Sequence, residues 1–147
     1  MLFVMIAIET ASGADIAGVH RLLSGARLPV EGLDPRVQLL VARRDDRDIV
    51  GSAALEEYPG GALLRSVAVA EELRGEGLGQ RLTAAALDLA RQRGHARVYL
   101  LTTTAAAFFP RFGFTPIARA DVPDDVRGSV EFTSACPSSA LVMRADL

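Results

Sequence analysis

Between Ser66 and Leu82 the chain reads SVAVAEELRGEGLGQRL, and no other stretch restricts its folding as strongly. Apolar residues alternate as in a strand, an arginine and three glycines follow (Arg74, Gly75, Gly77, Gly79), and a helical spacing takes over from Leu78. A strand that passes through glycines directly into a helix leaves the first N–H groups of that helix without backbone partners. They face out of the turn and form a cradle for anionic oxygens, a phosphate or pyrophosphate above all. Two common phosphate loops are excluded. The chain has no lysine, so a P-loop cannot form and Schiff-base chemistry is ruled out with it. The dinucleotide fingerprint requires glycine or alanine where Gln80 stands, and an acidic residue at the end of the next strand, which is missing.

The flanking sequence predicts an α/β sandwich. Residues 3–9 read as a first strand, and Ile16, Val19, Leu22 and Leu23 recur at helical spacing behind it. A loop runs through Pro35. Strands at 37–44, 49–58 and 62–70 form an antiparallel meander, with turns at the charged run 44–48 and at Pro59-Gly60-Gly61. The helix from Leu78 ends near Gly94, a C′ position, with Arg91 and Arg93 in its last turn. Next come a buried strand at 96–102, a short helix at 104–113 bent by Pro110, a strand at 114–119, a helical turn beginning near Pro123, and a closing strand at 140–147. A length of 147 residues with half of them hydrophobic fits one domain, 1–147. The net charge of −2 argues against a nucleic-acid partner. The apolar N-terminus lacks a basic leader, and no run is long enough to span a membrane, so a cytoplasmic location is expected. Cys136 is the only cysteine and His20 and His95 are separated, so neither a disulfide nor a metal site is expected.

The segment RGEGLG, Arg74 to Gly79, matches the Arg/Gln-x-x-Gly-x-Gly/Ala pattern of the GNAT acyltransferases, and Gly113-Phe114 after a short aromatic segment matches the same family. The resemblance covers the chain from about Val37 to its end. It implies the GNAT fold, a mixed sheet in which an antiparallel meander meets a splayed parallel pair flanked by helices. It implies acetyl-CoA as co-substrate, with the pyrophosphate on the amides of Gly75, Glu76, Gly77, Leu78, Gly79 and Gln80 beside Arg74. The pantetheine arm then pairs with Val67, Ala68 and Val69, where the strand usually carries a bulge, and a backbone N–H there meets the thioester oxygen. The family's usual tyrosine, a general acid toward the CoA thiolate, is Phe109 here, and its usual asparagine is Thr102. A thiolate of intrinsic pKa about 8.5 leaves with little help. Thr102 and its neighbours contact CoA through hydroxyls or cap the following helix at Thr104.

An amine acceptor must lose a proton before attack. Glu56 and Glu57 end the strand beside the acyl position, and alternation lets only one face the cleft. Glu56 is favoured as the base, with Tyr58 on its face; the alternative is a pair of solvated residues at a hairpin end. Arg65 interrupts an apolar strand and by alternation shares a face with Leu63, Val67 and Val69. It is read either as an anchor for an acceptor carboxylate or as half of an internal ion pair with Glu56, Glu57 or Glu131.

The runs LLRSVAV, YLLTTTAAAFF and SVEFTSACPSSALVM resemble the GNAT proteins of arsenic-resistance operons and, more distantly, the acetyltransferase domain of N-acetylglutamate synthase. That synthase carries a basic pair for glutamate where this chain has Pro137 and Ser138. Both resemblances imply direct acetyl transfer to the amine of a small, amino-acid-like acceptor, and the family's habit of joining C-terminal strands implies a homodimer. The alternatives are a protein or polyamine N-acetyltransferase, which Arg65 disfavours, and a non-catalytic acyl-CoA sensor.

Overall fold

The computed structural model describes residues 5–33, 37–45 and 48–147. Phe3 and Val4 of the expected first strand, Pro35 of the loop, and Asp46 and Arg47 of the charged turn lie outside the described residues. Seven strands, β1 (Ile6–Thr10), β2 (Gln38–Arg44), β3 (Asp48–Tyr58), β4 (Gly61–Val69), β5 (Arg97–Thr102), β6 (Thr115–Pro116) and β7 (Leu141–Asp146), form one sheet in the order β1-β2-β3-β4-β5-β7-β6. β1 to β4 are antiparallel, β4 and β5 are parallel, and β7 is antiparallel to both β5 and β6. Helix α2 (Leu78–Gln92) covers one face; α1 (Ile16–Gly25) and α3 (Asp124–Arg127) cover the other. Because both faces are covered, Val50 to Glu56 of β3 are all buried. Among the described residues no helix is long and apolar enough to cross a membrane.

Helix α2 ends as its sequence specifies: Gly94 is left-handed at φ 84°, and its N–H and that of His95 return to Arg91 and Ala90. Other boundaries differ from expectation. The aromatic segment is a 3₁₀ turn, Phe109–Phe112, closed by left-handed Gly113, and Pro110 sits in its first turn, where a missing N–H costs nothing. The strand expected over 114–119 is shorter, Thr115–Pro116, with one further bond from the Ile117 N–H to the Val142 carbonyl at 3.0 Å before the chain enters a 3₁₀ turn at Arg119–Asp121. A π-helical turn at Glu131–Ala135 was not anticipated at all.

Two irregularities in β4 shape everything that follows. Between the pairs Ser52–Ala68 and Ala54–Arg65, Ser66 and Val67 together oppose Ala53. This is a β-bulge, with Ser66 held at φ 59°. The Oγ of Ser52, itself fully buried, donates to the Ser66 carbonyl at 2.7 Å and pins it. The bulge inverts the alternation. Ala62 and Leu64 point toward α2 and Leu63 and Arg65 away from it, but beyond the bulge Val67 and Val69 face α2 and Ala68 faces α1. The expectation that Arg65 shares a face with Val67 and Val69 is therefore corrected. The second irregularity is that β4 and β5 pair only at Ala62–Val98 and Leu63–Tyr99, so the two strands part beyond Leu63.

Ser52→Ala removes the clamp on the bulge and leaves the buried Ser66 carbonyl without that donor. It is expected to lower the unfolding free energy by about 1–3 kcal/mol, read from urea denaturation. An unchanged midpoint would show that the bulge holds without it.

Candidate functional site

Where β4 and β5 part, a cavity of about 630 Å³ opens. Val67 to Val69 form one wall and Leu100 to Ala105 the other. It runs from Arg74 of the glycine loop to the segment after α1, where Arg27 and Glu31 meet Arg65, Glu131 and Cys136. The N–H of Ala70 donates to Val50 of β3. Strand alternation therefore turns the N–H groups of Val69 and Val67 away from β3 and toward the gap.

At the loop end, Gly77 caps α2 in the left-handed conformation at φ 85°, with Gly75 alike at 86°. No side chain caps the helix, so the amides of its first turn stay open to a guest. The side chain of Leu78 is buried in the core, which leaves only its backbone for binding. Glu76 and Gln80 are exposed beside the glycines, and the Nε of Arg74 donates to the Val69 carbonyl at 3.2 Å. Thr102 lines the cavity, and its Oγ1 accepts from the N–H of Ala105 at 2.9 Å, so the cap expected at Thr104 is made by Thr102. Phe109 lines the same wall while packing edge-on against Phe108 and Phe114.

At the other end lies a buried polar cluster. The Arg65 side chain is 0% exposed. Its Nη1 donates to Glu56 Oε2 at 3.0 Å, its Nη2 to the Pro29 carbonyl at 3.3 Å, and its Nε to Ser66 Oγ at 3.0 Å, with Glu131 Oε1 at 3.5 Å. Glu56 is equally committed: its Oε1 accepts from Tyr58 at 2.5 Å and from Ser129 at 2.6 Å. Glu56 and Tyr58 stand behind the cavity wall and not in it. Burial, reinforced by the bond to Glu56, pushes the Tyr58 phenol up to about 12. Glu57 does turn to the opposite face, where it binds Arg93 at 2.6 Å and His95 at 2.7 Å. Of the two readings of Arg65, the internal ion pair is present, with Glu56 and Glu131 as its partners.

Glu131 and Cys136 line the cavity, and sequence reasoning gave Glu131 only the role of a salt-bridge partner. Glu131 opens the π-helical turn, whose i→i+5 bond runs from the Cys136 N–H to the Glu131 carbonyl at 3.2 Å. The Cys136 thiol donates to Glu131 Oε2 at 3.1 Å. Burial raises the Glu131 carboxyl above its ordinary range although Arg65 opposes the shift, and burial with the Glu131 bond pushes the thiol up to about 12. Among the described residues no group of three or more His, Cys, Asp or Glu side chains is placed to hold a metal ion.

The acetyltransferase (GNAT) domain family matches residues 35–116. An amino-acid acetyltransferase of Ralstonia nicotianae is 32% identical over 124 residues, covering 77% of this chain and 27% of the relative. Among solved structures, Rv2747 of Mycobacterium tuberculosis, in complex with CoA, superposes with a TM-score of 0.80 at 25% identity over 96% of this chain and 99% of its own. N-acetylglutamate synthase of Neisseria gonorrhoeae, complexed with coenzyme A and L-arginine, gives a TM-score of 0.79 at 21% identity, covering 97% of this chain. The chain spans 27% of the length of the Ralstonia relative and 33% of the gonococcal synthase.

Arg65→Ala would strand two carboxylates in a dry cluster. It is expected to cost about 3–5 kcal/mol in urea unfolding. A loss below 1 kcal/mol would show that the cluster does not depend on its cation.

Proposed function

The chain belongs to the GNAT acetyltransferase family, and from that premise we propose that it moves an acetyl group from acetyl-CoA to the amine of a small, amino-acid-like acceptor, by direct transfer within a ternary complex. The observation that carries this reading is the cavity through the parted strands, because it joins an anion cradle at one end to a charged pocket at the other. The residues fit acetyl-CoA. The open amides from Gly75 to Gln80 suit its pyrophosphate, and the N–H groups of Val67 and Val69 suit the pantetheine arm and the thioester oxygen. Bound acetyl-CoA supplies the acyl group and a leaving group that needs little protonation, consistent with Phe109 in place of a hydroxyl donor.

The acceptor enters from the opposite end. Arg27, Glu31 and Glu131 give that end charges of both signs, which suits a zwitterion better than a polyamine. The amino-acid acetyltransferase and the N-acetylglutamate synthase among the similar proteins support the same acceptor class. Arg65, already saturated by Glu56, Pro29, Ser66 and Glu131, works better as a positioning residue than as a carboxylate anchor. Glu56 and Tyr58 hold it from behind. We read residues 1–147 as one domain that carries both halves of this site.

Thiol release from acetyl-CoA is the direct test, with amino acids, their phosphonic and arsonic analogues, and polyamines as acceptors. Turnover with an amino-acid-like compound and not with spermidine is expected; acetyl-CoA binding without turnover of any amine would favour a sensor. Gly77→Val forces a β-branched residue into a left-handed position. It should weaken acetyl-CoA binding at least tenfold by calorimetry, while leaving the acceptor end intact.

A further inference from the structure

We propose that Glu131 is the catalytic base that takes the proton from the acceptor ammonium, with the Cys136 thiol and Arg65 as the groups that position it. The inference rests on the acetyl-transfer reading above and names the group that serves it. Two buried carboxylates flank Arg65, and they differ in what they have left to offer. Glu56 accepts from Tyr58, Ser129 and Arg65 and is absent from the cavity wall. Glu131 lines the cavity, bonds one thiol, and stands 3.5 Å from the guanidinium. Arg65 lies just before the bulge that turns Val67 toward the gap, so Glu131 is anchored beside the strand whose N–H groups meet the thioester.

The turn that carries Glu131 is held at both ends. Its N–H is bound by Ser129 Oγ at 3.2 Å, and its carbonyl receives the Cys136 N–H. π-helical turns are rare and recur at functional sites. Across the cavity the wall after α1 is fixed by close packing. Gly32 is left-handed at φ 77°, and a Cβ there would lie 2.5 Å from Val130 and 3.2 Å from Arg65 Nη1. The carboxylate thus sits in a rigid corner.

The protons balance. The acceptor arrives as R–NH₃⁺; Glu131 takes one proton and later releases it to solvent. The free amine attacks the carbonyl carbon, a C–N bond forms, and the oxyanion is met by the β4 N–H groups. Its collapse breaks the C–S bond, and the second nitrogen proton leaves with the CoA thiolate, directly or through water. The sum is one amide, one CoA thiol and one proton. A carboxyl held above its ordinary range by burial is a stronger base than an exposed one, which is the direction this step requires. The charged and titratable groups facing Glu131 are Arg65 of β4, Glu56 of β3, Glu31 of the loop after α1, and Cys136, with Arg119 facing the thiol from beyond β6. Burial raises the Glu131 carboxyl, Arg65 and the Cys136 bond lower it, and Glu56 and Glu31 raise it again.

The test is the pH dependence of kcat/KM for acetyl-CoA with the best acceptor of the panel, in wild type, Glu131→Gln and Cys136→Ala. Wild type should lose activity as pH falls through a limb above the ordinary carboxylate range. Glu131→Gln should lower kcat/KM about 100-fold or more and abolish that limb, with the acetyl-CoA Kd within about twofold of wild type. Cys136→Ala removes a donor that stabilises the carboxylate, so the limb should move to higher pH. This second variant keeps the question open to refutation if Glu131→Gln does not fold. Full activity with an unchanged limb in Glu131→Gln, or an unmoved limb in Cys136→Ala, overturns the assignment of Glu131 alone. Absence of wild-type turnover across the panel overturns the acetyl-transfer reading and this inference with it.

Discussion

The bulge at Ser66 is the constraint on which the rest of the site depends. A strand without it would continue its alternation, and Arg65, Val67 and Val69 would share one face. With it, Arg65 stays on the α1 face while Val67 and Val69 turn to the α2 face. A non-glycine residue in the left-handed region costs roughly 1–3 kcal/mol. The Ser52 hydroxyl, the Arg65 Nε on Ser66 Oγ, and the packed core on both sides offset that cost. Strain held this way tends to sit beside function, and here it borders the cavity.

Arg65 is the second fixed point, and it follows from the first. It cannot be hydrated, so it draws partners from four places: Glu56 on β3, Pro29 after α1, Ser66 on its own strand, and Glu131 in the C-terminal segment. Pro29, Glu56 and Glu131 come from three separate segments that meet around one charge. A buried ion pair is weak evidence for net stability, but breaking one is costly. Its value here is geometric, since one cation ties β3, the segment after α1 and the C-terminal segment together at one end of the cavity.

The sequence was legible wherever a local rule determined the outcome. The glycine loop, the α2 helix with its Gly94 cap, and the antiparallel meander all follow from patterns within a few residues of each other. Long-range effects were not legible. The family resemblance implied a bulge in this strand, and it is present, but nothing in LLRSVAV itself places the extra residue at Ser66 and Val67, so the inverted alternation beyond it was not read. Glu131 was read only as an ion-pair partner of Arg65, while Glu56 was placed toward the cleft, for the same reason. Both are acidic residues near apolar runs, and only the fold shows that Ser129 and Tyr58 occupy the first while the second lines the cavity. The 3₁₀ turn at Phe109–Phe112 was misjudged because Pro110 reads as a helix interruption, although in a turn this short it occupies a starting position.

The position of Phe109 ties these points together. Without a hydroxyl there, this position of the cavity wall is aromatic and its side chain offers no proton. For acetyl transfer that omission is tolerable on the leaving-group side, because a thiolate is stable near neutral pH. It is not tolerable on the nucleophile side, where an ammonium cannot attack. In the proposed reaction the demand for proton transfer therefore falls on the charged end of the cavity, where two buried carboxylates, Glu56 and Glu131, flank Arg65. Of these, Glu56 is locked by three donors and serves as the counter-charge that keeps Arg65 buried. Glu131 is the one left facing the cavity, and its π-turn and thiol partner are the features of this chain that neither the glycine loop nor the sheet requires.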